Sequence, residues 1–126
     1  MKIYGVGTDI VSVLRIRRLF KNRRFLNRVF NKDEISKCCK LKNLFNCYAK
    51  RFAAKEAFAK ALGTGISKGI NFNEIIILNE KNGKPFLKLD GQTKQTVKKK
   101  LKKKIMISLT ISDEKKYALA FVTISS

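Results

Sequence analysis

One run of residues constrains this chain more than any other: Arg51-Phe52-Ala53-Ala54-Lys55-Glu56-Ala57-Phe58-Ala59-Lys60-Ala61-Leu62-Gly63-Thr64-Gly65. At about 100° per residue, Phe45, Tyr48, Ala49, Phe52, Ala59 and Leu62 gather on one broad face. That predicts a long helix over about 43–62, with many alanines for close packing against a sheet or another helix. Glu56 lies inside the face, four residues after Phe52 and three before Ala59. A carboxylate there needs a cation, a proton or strong donors, because burying it alone is costly. Glu56 is therefore the first candidate functional residue.

Residues 2–11 read as a strand, with Tyr4, Val6 and Ile10 on one side and Ile3, Gly5, Gly7 and Asp9 on the other. Two glycines beside the only acid leave room for something to approach the backbone near Asp9. Asp9 also reads as a strand-end acid capping the next helix. Ser12 is an N-cap for a short basic helix, 13 to about 22. Asn31-Lys32-Asp33-Glu34 looks like another helix start. Segments 74–78 and 86–89 flank Asn82-Gly83-Lys84-Pro85, a hairpin signal through its Asn-Gly step. Residues 93–104 form a lysine-dense helix, read first as a solvated surface. Two final strands, about 105–111 and 117–124, are joined through Ser112-Asp113-Glu114-Lys115. The expected fold is α+β, one domain over 1–126, with an antiparallel sheet packed on the long central helix.

The formal charge of +20, from 29 basic and nine acidic residues, attracts polyanions of any kind. No apolar run reaches the roughly 18–20 residues of a membrane span. No secretory signal is expected at the N-terminus, so the chain reads as soluble and cytoplasmic, or organellar if a leader has been removed. Cys38, Cys39 and Cys47 form no Cys-x-x-Cys pair, and there is no histidine. Neither a zinc site nor a disulfide framework is expected. Any general base must be a carboxylate, a lysine, a tyrosine or a metal-bound water.

Asp9 and Glu56 are the two acids read in apolar or glycine-lined settings. Magnesium prefers oxygen ligands and takes one or two carboxylates with water and substrate phosphates. Lys60 lies one turn after Glu56, and Gly63-Thr64-Gly65 follows directly. Because this is a helix C-terminus, its dipole does not favour anions. Any anion bound there must rely on Lys60, loop N–H groups and a metal, with Gly63 also serving as the helix C-cap.

The opening Gly5-Val6-Gly7-Thr8-Asp9-Ile10, the Arg51–Gly65 block, Asn82-Gly83-Lys84-Pro85 and Thr110-Ile111-Ser112-Asp113 with Tyr117-Ala118 together resemble one family. It is the holo-acyl-carrier-protein synthases, the small bacterial-type 4′-phosphopantetheinyl transferases. The resemblance runs in order over nearly the whole chain. It implies the 4′-phosphopantetheinyl transferase fold and a homotrimer with active sites at subunit interfaces. It also implies transfer of phosphopantetheine from coenzyme A to a serine of apo acyl carrier protein, in support of fatty acid biosynthesis.

By that resemblance Asp9 and Glu56 fall on the magnesium-ligand positions, and Lys60 on the lysine near the pyrophosphate. Arg51, Gly63, Thr64, Gly65, Gly83, Lys84, Pro85 and Asp113 fall where the family holds the nucleotide. Arg15, Arg18 and Arg24 fall on its docking face for the acidic carrier protein. Many members carry histidine where this chain has Asp113, so a mechanism resting on that base does not transfer. A water on the metal, or one held by Glu56 or Asp113, is left to accept the serine proton.

Two other readings compete. A basic nucleic-acid-binding domain would use the charge and the lysine helix, but no recognised motif is present and it gives Glu56 no role. An inactive trimeric relative would not need Asp9, Glu56 and Lys60 together.

Overall fold

The computed structural model describes residues 1–126, and its organising contact is one helix laid on one strand. The strand, β1 (Ile3–Ser12), is followed by three short helices, α1 (Val13–Leu19), α2 (Arg23–Val29) and α3 (Lys32–Cys38), and by the long α4 (Leu44–Leu62). A 3₁₀ turn (Phe72–Glu74) leads into a hairpin of β2 (Ile75–Asn79) and β3 (Pro85–Leu89), then α5 (Gly91–Leu101), β4 (Met106–Asp113) and β5 (Tyr117–Ser125). The order matches the sequence expectation except for α2, an extra helix between the first basic helix and the Asn31 start.

Gly5 and Gly7 decide how closely α4 approaches β1. A Cβ on either would stand 1.9 Å from a helix carbonyl oxygen, of Ala61 for Gly5 and of Ala57 for Gly7. The room that the glycines leave is thus filled by α4 itself. Alanines at 53, 54, 57 and 61 let the helix backbone sit down on the sheet, and all four are buried.

Burial corrects the expected one-sided helix. From Cys47 to Leu62, every residue is buried except Lys50, Glu56 and Lys60. Such a helix is buried nearly all round, Arg51 and Lys55 included, because the sheet, the three short helices and the hairpin enclose it. Glu56 therefore lies on the narrow strip left open, not in the middle of a buried face.

The expected single sheet is in fact two. One is fully antiparallel with strand order β1-β5-β4, and the other is the β2-β3 hairpin. Alternation in sequence reports which face a residue takes, not which edges pair, so the division was hidden. The outer face of the larger sheet carries exposed Tyr4, Val6, Ile10, Met106, Tyr117, Leu119 and Phe121.

The most buried carboxylate is Glu34, which the sequence reading took for part of a helix start. It is that: Asn31 caps α3 and Glu34 returns the bond to the Asn31 N–H at 3.0 Å. It also accepts from Lys55 Nζ at 2.7 Å and from the Ile77 N–H at 3.1 Å, with neither Glu34 nor Lys55 exposed. Burial pulls the Lys55 ammonium down to about 8, and Glu34 opposes that shift. The pair ties α3, α4 and β2 together.

A second correction concerns the cysteines. Cys38, at the end of α3, and Cys47, in the first turns of α4, form a disulfide across the α3–α4 connection. The end of α3 and the start of α4 bring the thiols together, which a spacing of nine residues did not signal. Cys39 is free and exposed.

Candidate active site

Asp9 sits in the middle of β1, opposite Ala120 of β5, and faces α4. Lys60 reaches back from the last turn of α4 to place Nζ 3.1 Å from Asp9 Oδ1 and 3.0 Å from the Thr8 carbonyl. Glu56 lies one turn earlier on the same strip. Its carboxyl is raised above the ordinary glutamate value, first by burial and then by the Asp9 carboxylate, with Lys60 and Arg15 opposing. Arg15, on α1, also sets its guanidinium 5.8 Å from the centre of the Phe52 ring. Two carboxylates and two cations are thus gathered at one opening between β1, α1 and α4.

The donor set suits a hard divalent cation. Both candidate ligands supply oxygen only, and the Asp9 carboxylate disfavours ionisation of Glu56, a conflict that a cation resolves. No group of three or more His, Cys, Asp or Glu residues is placed to hold a metal. The protein would provide two ligands, leaving the others to water and phosphate, as magnesium commonly arranges.

The exit from α4 departs from expectation. The N–H groups of Gly63, Thr64 and Gly65 all donate to the Ala59 carbonyl, at 3.1, 3.3 and 3.2 Å. Left-handed glycines at φ 87° and 65° wrap the loop back onto the helix end, so these donors are already engaged. What Gly63 and Gly65 do offer is clearance, since a Cβ on either would meet nothing within 4 Å. A ligand can lie directly against that backbone.

The remaining predicted residues form a second cluster. A cavity of about 230 Å³ is lined by Arg51, Gly83, Pro85 and Asp113, together with Lys37 and Lys50. Lys84 is exposed on the adjoining turn and does not line it. Asp113 accepts from Asn46 Nδ2 at 3.0 Å and lies 3.8 Å from Lys50 Nζ. Arg51 is buried, and desolvation lowers its guanidinium from the ordinary arginine value. Five residues separate Arg51 from Glu56, which turns them about 140° apart around the helix axis. Within one chain the two clusters open on different sides of α4.

Arg18 and Arg24 are exposed, on α1 and α2, and neither is ion-paired. Sequence reasoning missed Asn46, Lys50 and Asn79, which hold Asp113 and Arg51. Nothing in their own spacing marks them, because each is defined by a partner distant in the chain.

A family model, the 4′-phosphopantetheinyl transferase superfamily, matches residues 5–122. The chain belongs to that family. A holo-[acyl-carrier-protein] synthase from Pelagibacter ubique (strain HTCC1062) is 47% identical over 123 residues, covering 97% of this chain and 96% of the relative. The crystal structure of the holo-[acyl-carrier-protein] synthase from Neisseria meningitidis is 40% identical, with a TM-score of 0.88 over 98% of this chain and 99% of that one. The Helicobacter pylori synthase, solved in complex with coenzyme A, is 32% identical with a TM-score of 0.80, over 95% and 99% of the two chains. The α+β phosphopantetheinyl transferase fold read from the sequence is therefore correct. No helix in this family member is long and apolar enough to cross a membrane.

Proposed function

We propose that the chain is a holo-[acyl-carrier-protein] synthase that moves 4′-phosphopantetheine from coenzyme A to a serine of apo acyl carrier protein, releasing adenosine 3′,5′-bisphosphate. The observation that carries this reading is the convergence of Asp9, Glu56 and Lys60 on one opening, in a chain of this family. Synthase relatives of nearly the same length, one of them bound to coenzyme A, point to the same reaction.

Asp9 and Glu56 would hold magnesium, which supplies charge neutralisation and orientation of the coenzyme A pyrophosphate. The serine oxygen attacks the pantetheine-side phosphorus and the bond to the nucleotide phosphate breaks. A water held by Glu56 or Asp113 takes the serine proton. Lys60 is exposed enough to swing from Asp9 toward the leaving phosphate and balance its charge. Gly63 and Gly65, on either side of Thr64, give the phosphates a backbone surface free of side-chain obstruction. Arg15, Arg18 and Arg24 present cations to the acidic carrier protein, where charge complementarity speeds encounter.

The nucleotide end of coenzyme A is assigned to the cavity of Arg51, Gly83, Pro85 and Asp113, with Lys84 at its rim. Because that cavity and the carboxylates open on different sides of α4, one protomer's pair is completed by a neighbour's cavity. The exposed apolar face of the β1-β5-β4 sheet supports that arrangement, since a face of this character marks an association surface. The assembly proposed is the homotrimer, working in the cytoplasm in support of fatty acid biosynthesis.

The test is direct. Protein, coenzyme A, apo carrier protein and magnesium are mixed, and the carrier is weighed by mass spectrometry. A gain of one phosphopantetheine is expected; no gain across a range of magnesium and pH would overturn the assignment.

A further inference from the structure

Asn79 ends β2 and stands beside the hairpin turn, and its side-chain amide is used in both directions. Oδ1 accepts from Arg51 Nη2 at 3.0 Å, while Nδ2 donates to the Gly83 carbonyl at 3.0 Å. Arg51 is 4% exposed, and its other engaged nitrogen, Nη1, donates to the Cys47 carbonyl at 3.3 Å and to Cys47 Sγ at 3.1 Å. Its Nε is buried without a partner. Asn79 is thus the only side-chain oxygen that receives this guanidinium.

The turn itself is closed by two backbone bonds, Glu80 N–H to the Lys84 carbonyl at 2.8 Å and Gly83 N–H to the Glu80 carbonyl at 2.9 Å. Neither bond connects the turn to α4. The chain of contacts from Arg51 through Asn79 to Gly83 does. Arg51, Asn79 and Gly83 all line the same cavity.

We propose that Asn79 is a positioning residue for the nucleotide end of coenzyme A, an inference that rests on the transferase reading. By accepting from Arg51 and donating to Gly83, it sets the guanidinium plane and the height of the Gly83–Pro85 turn together. The two walls of the cavity then move as one body. The chemistry calls for a short group that donates and accepts at once: aspartate accepts only, an aliphatic residue does neither, and glutamine is one methylene too long. Asn79 acts through Arg51 and Gly83, so its loss should appear in coenzyme A binding and not in the chemical step.

Asn79→Ala is compared with wild type in three measurements: steady-state transfer, calorimetric binding of coenzyme A, and amide hydrogen exchange. KM and Kd for coenzyme A are expected to rise about tenfold, as for loss of a hydrogen bond to a charged group. The values of kcat and of KM for the carrier should stay within about twofold. Glu80 and Gly83 amides should exchange about tenfold faster, with β1 and α4 unchanged. Asn79→Asp keeps the acceptor facing Arg51 and serves if the alanine variant does not fold; its turn amides should be released in the same way. Unchanged coenzyme A affinity, or equal losses in kcat and both KM values, would overturn the proposal. The exchange arm separates the two readings: a wild-type protein that binds no coenzyme A sinks the transferase assignment, and turn amides that stay protected sink the role of Asn79.

Discussion

The Lys60 ammonium stands 3.1 Å from the Asp9 carboxylate, fastening the last turn of α4 to the middle of β1 with a side chain that is half exposed. Exposed ion pairs add only about 0–1 kcal/mol to stability. Lys60→Met should therefore melt within a few degrees of wild type, yet lower kcat by about 10²–10³, the range for removing one donor to developing charge. Melting curves and the carrier mass assay decide it. A large loss of stability with kcat intact would make Lys60 structural.

Glu56 carries its charge at a disadvantage, since burial and Asp9 both raise its carboxyl above the ordinary value. In the window between the ordinary and the raised value, the folded chain holds more protons than the unfolded one. Stability therefore falls as pH rises through that window, and the penalty persists above it. Glu56→Gln removes the penalty: without metal, it should melt above wild type at neutral pH while losing transfer. Wild-type activity after this change would contradict its placement at the reaction centre.

Lys55 and Glu34 form a different kind of pair, fully enclosed at 2.7 Å. Lys55→Met leaves Glu34 charged and without its cation, and should cost about 3–5 kcal/mol. Adding Glu34→Gln should recover part of that loss, because the uncompensated charge disappears, while the single amide oxygen keeps an acceptor for only one of the Asn31 and Ile77 N–H groups, which meet different carboxylate oxygens. Urea unfolding of the single and double variants measures the coupling. Additive losses would show that the pair interacts weakly.

Phe121 lies on the outer face of β5, opposite Thr8 and Thr110 on the flanking strands, and is exposed in the single chain. Phe121→Lys should leave the protomer folded and prevent its assembly. Sedimentation would report monomers in place of the proposed trimer, with transfer lost if a neighbour completes the site as proposed. A monomeric variant that kept full activity would refute the shared-site arrangement.

The Cys38–Cys47 bond closes a short loop between α3 and α4. Chain-entropy reasoning assigns about 2–3 kcal/mol to such a loop. Cytosolic thiols are normally kept reduced, so denaturation with and without a dithiol reductant should differ by about that amount. Identical midpoints, with the bond verified by mass, would show that helix packing alone holds the junction.

The site was legible wherever a residue's role depends on its near neighbours. Gly63 at the end of an alanine-rich helix, Lys60 one turn after Glu56, and Asn82-Gly83 between two apolar runs all declare themselves through local geometry. Glu34 shows the opposite case. Its place in a helix start was visible, but its burial depends on Lys55, 21 residues later, and on the Ile77 N–H. The loop donors of Gly63–Gly65 failed for a related reason: sequence named groups able to bind an anion, while the fold had already turned them toward Ala59.

By itself, the sequence determined every element but α2 and the extent of the long helix, because helical and strand periods are short-range properties of the chain, and it named the candidate residues for the chemistry. Only the tertiary structure decided what those residues meet. It set α4 against Gly5 and Gly7, enclosed the helix on nearly every side and left Glu56 and Lys60 on its open strip. It also divided the strands into two sheets, joined Cys38 to Cys47 and placed Asn79 between Arg51 and Gly83. The physical reason is that a residue's own period sets the direction it points, whereas burial and pairing are set by surfaces that the chain brings together from far apart.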